Sequence, residues 1–241
     1  MSRRLSIIAL LAASFFLCLM AGCWPFDPPS KPGKEPPPPE LLDRTTPENV
    51  LFNLRVIYGD KDNIVNTAED AHMWAESYRA LFHPDSFTFY FIGGDQPPDF
   101  PNPWWGVNDE VTGFDTLLTK RALGLVDDIT LSWTVNSSEP DNRADEHTGI
   151  LIHPTWRHIY VVGILLDVIE GTTTWRVPNG TADFYFAPDP ANPSLWVITE
   201  WYDHQPLGSP RGSSIAGSGS VMPAAAEPAN SSWSRIKSLY H

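Results

Sequence analysis

The stretch Ile129-Thr130-Leu131-Ser132-Trp133-Thr134-Val135-Asn136 decides how this chain folds. Apolar and polar residues alternate through it with period two. That puts Ile129, Leu131, Trp133 and Val135 on one face of a half-buried strand. Before Gly124 the apolar spacing is helical; after it, strands follow one another to His204. A change of period this clean separates a helical first half from a β-rich second half, which is the pattern of an α+β domain.

Working toward the C-terminus, Ser137 to Glu146 is polar and predicts a turn or loop. A long strand follows, from about Thr155 to Glu170. Its centre, Ile159 to Leu166, is apolar at nearly every position, so both faces should be covered, one by helices and the other by a partner such as a second subunit. Thr172 to Val177 and Thr181 to Ala187 flank Asn179-Gly180, a turn signal, and read as one interrupted strand or two short ones. Leu195 to His204 is the last strand.

Working toward the N-terminus, a helix runs from about Asn108, with Val111, Phe114, Leu117 and Leu118 on one face. The Pro-rich stretch from Gly93 to Trp105 reads as a loop. Phe87 to Phe91 is a short strand rich in rings. Thr67 and Asp70 are spaced as a capping box ahead of a helix bearing Trp74, Tyr78, Leu81 and Phe82, which His83-Pro84 ends. Thr46-Pro47-Glu48 opens an earlier helix as cap, first-turn Pro and acid on the positive end. Its stripe is Val50, Leu51, Leu54, Ile57 and Tyr58, and Gly59 stops it.

The expected architecture is α+β, with three N-terminal helices packed on a curved antiparallel sheet. Three segments carry a family likeness: the Pro47-Glu48-Asn49-Val50-Leu51 helix, the Phe87-Thr88-Phe89 strand, and the closing Trp196-Val197-Ile198-Thr199-Glu200-Trp201-Tyr202-Asp203 strand. Together over residues 46–205 they resemble the nuclear transport factor 2-like (polyketide-cyclase-like) superfamily. The resemblance implies a cone-shaped fold. It does not fix function, since that superfamily includes enzymes, ligand binders and interaction modules.

The first 22 residues read as an export signal. Arg3 and Arg4 precede an apolar run from Leu5 to Met20, shorter than the roughly 20 residues a membrane-spanning helix needs. Leu19-Met20-Ala21-Gly22-Cys23 resembles the lipobox of bacterial lipoproteins, with Met20 where Leu is commoner. The resemblance implies cleavage before Cys23 and lipidation of its thiol. Two or three acyl chains give a stable anchor where one does not. The only other cysteine, Cys18, leaves with the signal, so no internal disulfide is expected. Trp24 follows Cys23 where an Asp would resemble an inner-membrane retention signal, which favours the outer membrane. The predicted location is the cell envelope, outside the cytoplasm.

The expected organisation is thus a signal at 1–22, a Pro-rich tether at 23–44, the domain at 45–205, a Gly/Ser/Pro/Ala-rich linker at 206–230 and a short amphipathic segment at 231–241. A polyproline tether of that length has a reach on the order of 60 Å, at roughly 3.1 Å per residue. In the last segment Trp233, Ile236 and Tyr240 share a helical face, which should fold back on the domain or dock to another protein.

The net charge of -13 grows by two when Arg3 and Arg4 depart, which argues against a nucleic-acid partner. His153 and His158 are five apart, on opposite strand faces, and no metal-binding, nucleotide or nucleophile-elbow motif is present. No cofactor or metal is expected, and no catalytic residue is assigned. Phe89, Trp133, Tyr185 and Trp201 are candidates to line the mouth of the cone for a small apolar ligand. Asp167, Asp203 and His204, with Asp183, are the candidate polar groups. Asp167 is placed on a face with Ile159, Val161 and Leu165. Three functions follow: a non-catalytic module binding an apolar ligand, an envelope protein or a second copy; a cofactor-free isomerase, dehydratase or hydrolase working in the cone; or a passive envelope protein whose cone its own side chains fill.

Overall fold

The computed structural model describes residues 40–59, 65, 67–91, 102–204, 229–230 and 233–241. The export signal, Cys23 and nearly all of the tether and linker lie outside these residues. Helix α1 is Pro47–Gly59, α2 Ala68–Arg79, α3 Val107–Ala122 and α4 Trp233–Ser238. The strands are β1 Thr88–Tyr90, β2 Trp104–Gly106, β3 Asp128–Pro140, β4 Arg157–Glu170, β5 Thr173–Pro188, β6 Trp196–His204 and β7 Ala229–Asn230.

The helices begin where local chemistry starts them. Thr46 Oγ1 accepts from Asn49 N–H, and Thr67 and Asp70 exchange hydrogen bonds at 3.1 and 3.0 Å in a complete capping box. Asp109 accepts from Gly106 N–H at the start of α3. Residues before Pro47 are bound to the domain: Asn53 pairs with both backbone groups of Leu42, and Arg44 meets Asp189 at 3.0 Å.

The protein is α+β, with a mixed, curved sheet ordered β2-β1-β6-β5-β4-β3. Two expectations change. The sheet is not wholly antiparallel, because β1 lies parallel to β6, pairing Phe89 with Trp201. The helices are not all N-terminal, because α3 follows β1 and β2 and α4 comes last. Local composition does not encode the parallel pairing: β1 is three residues long and meets β6 more than a hundred residues on.

The long strands also differ in detail. β3 runs on to Pro140, through residues expected to form a loop, because Ser137 to Pro140 pair with Tyr160 to Arg157. β5 is one continuous strand; Asn179 takes a positive φ of 54° inside it rather than turning the chain. β4 carries a bulge at Gly163, whose φ is +64°. The bulge reverses which residues face inward. Ile159 and Val161 are buried before it, and Ile164, Leu166 and Val168 after it. Only the inner face of β4 is fully covered; Leu165 on the other face is 39% exposed.

The inner face of the sheet, α1 to α3 and the C-terminal segment share one apolar core. β7 pairs parallel to β5 at Trp175 and Arg176, beyond the point where β6 ends against Thr181. From there the chain enters α4, which lies against the inner face of the sheet.

Candidate functional site

The concavity between helices and sheet is occupied by α4 and the residues after it. Trp233, Ile236, Lys237 and Tyr240 are all buried. Trp233 sits edge-on to Trp201 at 4.5 Å and to Tyr58 at 5.6 Å between ring centres, with Trp133 at 6.1 Å. Tyr240 O–H donates to Glu170 at 3.0 Å, and Lys120 Nζ lies 4.6 Å from the centre of its ring. His241 stacks on Trp105. Each large apolar side chain removed from water this way contributes roughly 1.5–3 kcal/mol.

At the centre is an ion pair. Lys237 Nζ donates to Glu110 Oε1 at 2.6 Å, with side-chain exposures of 6% and 1%. Glu110 also accepts from Tyr78 O–H at 2.5 Å and, through Oε2, from Trp105 Nε1–H at 2.9 Å. The ammonium lies 3.5 Å from the centre of the Trp201 ring and 4.0 Å from that of Phe89. Asp203, itself buried, adds an attractive charge. Burial nevertheless pushes the Lys237 ammonium down to about 8, despite Glu110. Burial, and next the neighbouring Glu110 charge, drive the Tyr58 and Tyr78 phenols well above their usual range, so both stay protonated donors. Charges taken out of water cost several kcal/mol each unless such partners offset the loss. Trp201 Nε1, Trp233 Nε1 and Thr199 Oγ1 are buried without a hydrogen-bond partner among the described residues.

The opposite face of the sheet is half-exposed and polar. Asp183 accepts from His158 Nε2 at 2.6 Å and His204 Nε2 at 2.5 Å. Burial alone would raise the Asp183 carboxyl; the hydrogen bonds from His158 and then His204 outweigh it and hold the group well below its ordinary value. The bond to Asp183 raises His158. Arg143 bridges Asp141 and Glu200 and lies over the Tyr185 ring at 3.7 Å. Elsewhere, a surface cleft of about 260 Å³ opens between the end of α2 and the start of α3, lined by Arg44, Arg79, Phe82, Val107, Asn108 and Asp189. Its arginines are engaged, Arg44 by Asp189 and Arg79 by Asn108.

The residues singled out from sequence therefore fall into two groups. Phe89, Trp201 and Asp203 face the concavity around Lys237, and Trp133 borders Trp233. Tyr185 and His204 are on the other face, because Phe184 and Asp203 take the inward positions of β5 and β6. Asp167 is also there. The Gly163 bulge separates it from Ile159 and Val161, and it pairs with Arg176 at 2.6 Å. Asp203 and His204 thus do not meet. Glu110 and Lys237 were not among the expected residues, though a signal existed: each interrupts an apolar helical stripe, Glu110 with Phe114 and Leu117, Lys237 with Trp233 and Tyr240.

Among the described residues there is no group of three or more metal-ligating side chains, and no helix is long and apolar enough to cross a membrane. No protein-family model and no curated protein matches the chain.

Proposed function

We propose that this chain is a lipid-anchored protein of the cell envelope whose domain has the nuclear transport factor 2-like cone and works as a non-catalytic binding module. One observation carries the binding role. The concavity holds a discrete chain segment by four side chains, Trp233, Ile236, Lys237 and Tyr240, in sockets formed by elements remote in sequence. A cavity shaped to such a segment is a receptor for an amphipathic helix. The export signal and the Leu19 to Cys23 pattern support the anchor, and the α+β architecture supports the fold assignment. The acid–base alternative draws less support, because Asp203 and His204 lie on opposite faces and Asp167 is bound to Arg176. The passive alternative also expects a filled cone, so exchange of the segment separates it from binding.

The test uses the full chain with Trp233→Ala, which weakens its own segment and leaves the receiving sockets intact. A fluorescent peptide of residues 229–241 should bind it saturably, and the same peptide with Trp233→Ala should not. Failure of the wild-type peptide to bind at millimolar concentration would leave the passive reading. The anchor is checked by the intact mass of membrane-extracted protein, which should lose its acyl chains in Cys23→Ala.

A further inference from the structure

We propose that the concavity is a recognition site for a primary ammonium group on an unbranched aliphatic chain, and that Lys237 is its resident occupant. The inference rests on the binding-module reading and names the chemistry of that same site. Four observations support it.

The Glu110 carboxylate is held by two donors besides Lys237, Tyr78 O–H and Trp105 Nε1–H, which come from α2 and β2. Those bonds do not involve the C-terminal segment, so the anionic centre is part of the receiving body. The rings of Phe89 and Trp201 flank the ammonium on β1 and β6, as cation–π recognition requires. Asp203, at an inward position of β6, adds a second negative charge. All of these groups are buried, where an uncompensated carboxylate is costly, so withdrawal of Lys237 creates a demand for another cation. Rings and carboxylates together select a cation. The unbranched stem is that of the resident occupant, since the Lys237 side chain is 6% exposed where it reaches Glu110.

Lys237 beyond Cβ has the atoms of n-propylammonium, which makes Lys237→Ala in the full chain the direct test. Propylammonium chloride should raise its Tm with the logarithm of concentration, by roughly 5–10 °C at about a hundred times Kd. Equal concentrations of 1-propanol or sodium chloride should not. The rise should vanish in Glu110→Gln/Lys237→Ala and in Lys237→Met, whose side chain fills the space of the lysine stem without charge. If Lys237→Ala does not fold alone, recovery of its native circular dichroism in propylammonium but not in propanol gives the same answer. Equal effects of amine and alcohol, an effect that survives Glu110→Gln, or no effect would overturn the proposal.

A second measurement leaves Glu110 and the rings around it unaltered. The 229–241 peptide carrying Lys237→Met should bind the Trp233→Ala chain at least tenfold more weakly than the unaltered peptide. If both peptides bind equally, the receptor reading stands and the ammonium inference falls. If neither binds, the receptor reading itself has failed.

Discussion

Glu110 and Asp183 each accept from a basic side chain at 2.6 Å, and the same sheet separates their surroundings. Glu110 and its partner Lys237 are 1% and 6% exposed; Asp183 and His158 are 23% and 17% exposed. Around Glu110 and Lys237 the neighbours are chiefly rings, those of Tyr78, Trp105, Phe89 and Trp201, with Asp203 beside them; around Asp183 and His158 they are further charges and polar rings, Glu139, His204 and Tyr185 among them. Similar contact geometry therefore carries different weight. On the concave side, loss of one partner strands a charge in a dry interior. On the outer side, water takes its place. The concave face holds a chain segment, and substitutions at the outer ion pairs should cost less.

The largest effect should come from Glu110→Ala, which leaves Lys237 without its counter-charge. Urea denaturation of the full chain should show a loss of about 3–5 kcal/mol. The double variant Glu110→Gln/Lys237→Met should recover most of it, since neither member of the pair is then charged without the other. A loss below about 1 kcal/mol would erase the contrast between the two faces.

Next comes Gly163→Ala. Nothing lies within 4 Å of the added Cβ, so the cost is that of a positive φ alone, about 1–2 kcal/mol by the same measurement. The bulge there sets which residues of β4 face inward, so this variant asks how firmly the two faces are kept apart.

A smaller and pH-dependent effect is expected at Asp183→Asn. His158 is raised above 6.5, so its contribution is complete below that pH and is lost as pH rises through its folded value. Asp183 is lowered below 3.8, so its contribution is present above that pH and is lost as pH falls through its folded value. The variant should cost about 1 kcal/mol near pH 5 after solvent screening, and less at pH 9 or pH 2. Thermal unfolding across pH reads this out; a cost that does not vary with pH would mean the pair is not responsible. The smallest change is expected for Asp167→Asn. Arg176 is 43% exposed there, and any shift in Tm should disappear in salt.

Much of this layout is legible in the sequence, for reasons the structure makes plain. Helices with a cap and an apolar stripe, such as Ala68 to Arg79 behind its Thr67 cap, are specified within a short local stretch. Alternation in Ile129 to Trp133 shows which residues face the core. The parallel pairing of β1 with β6 has no local signature, because it joins residues more than a hundred apart. Asp167 illustrates another limit. Counting by twos along β4 is sound only until one residue departs from the pleat, and Gly163 does. The fold-back of Trp233, Ile236 and Tyr240 follows from their shared apolar face. The role of Lys237 does not, since a lysine in such a stripe ordinarily reaches for water.

Hydrogen exchange on the full chain, with and without Glu110→Gln, tests most directly whether a separable segment fills the concavity through the Glu110–Lys237 pair. Amides of residues 233–240 should be protected in the unaltered chain, open before those of β4 and β5, and lose protection in the variant while β4 and β5 keep theirs. Tail amides that exchange freely from the start, or that keep full protection without the Glu110 charge, would contradict it.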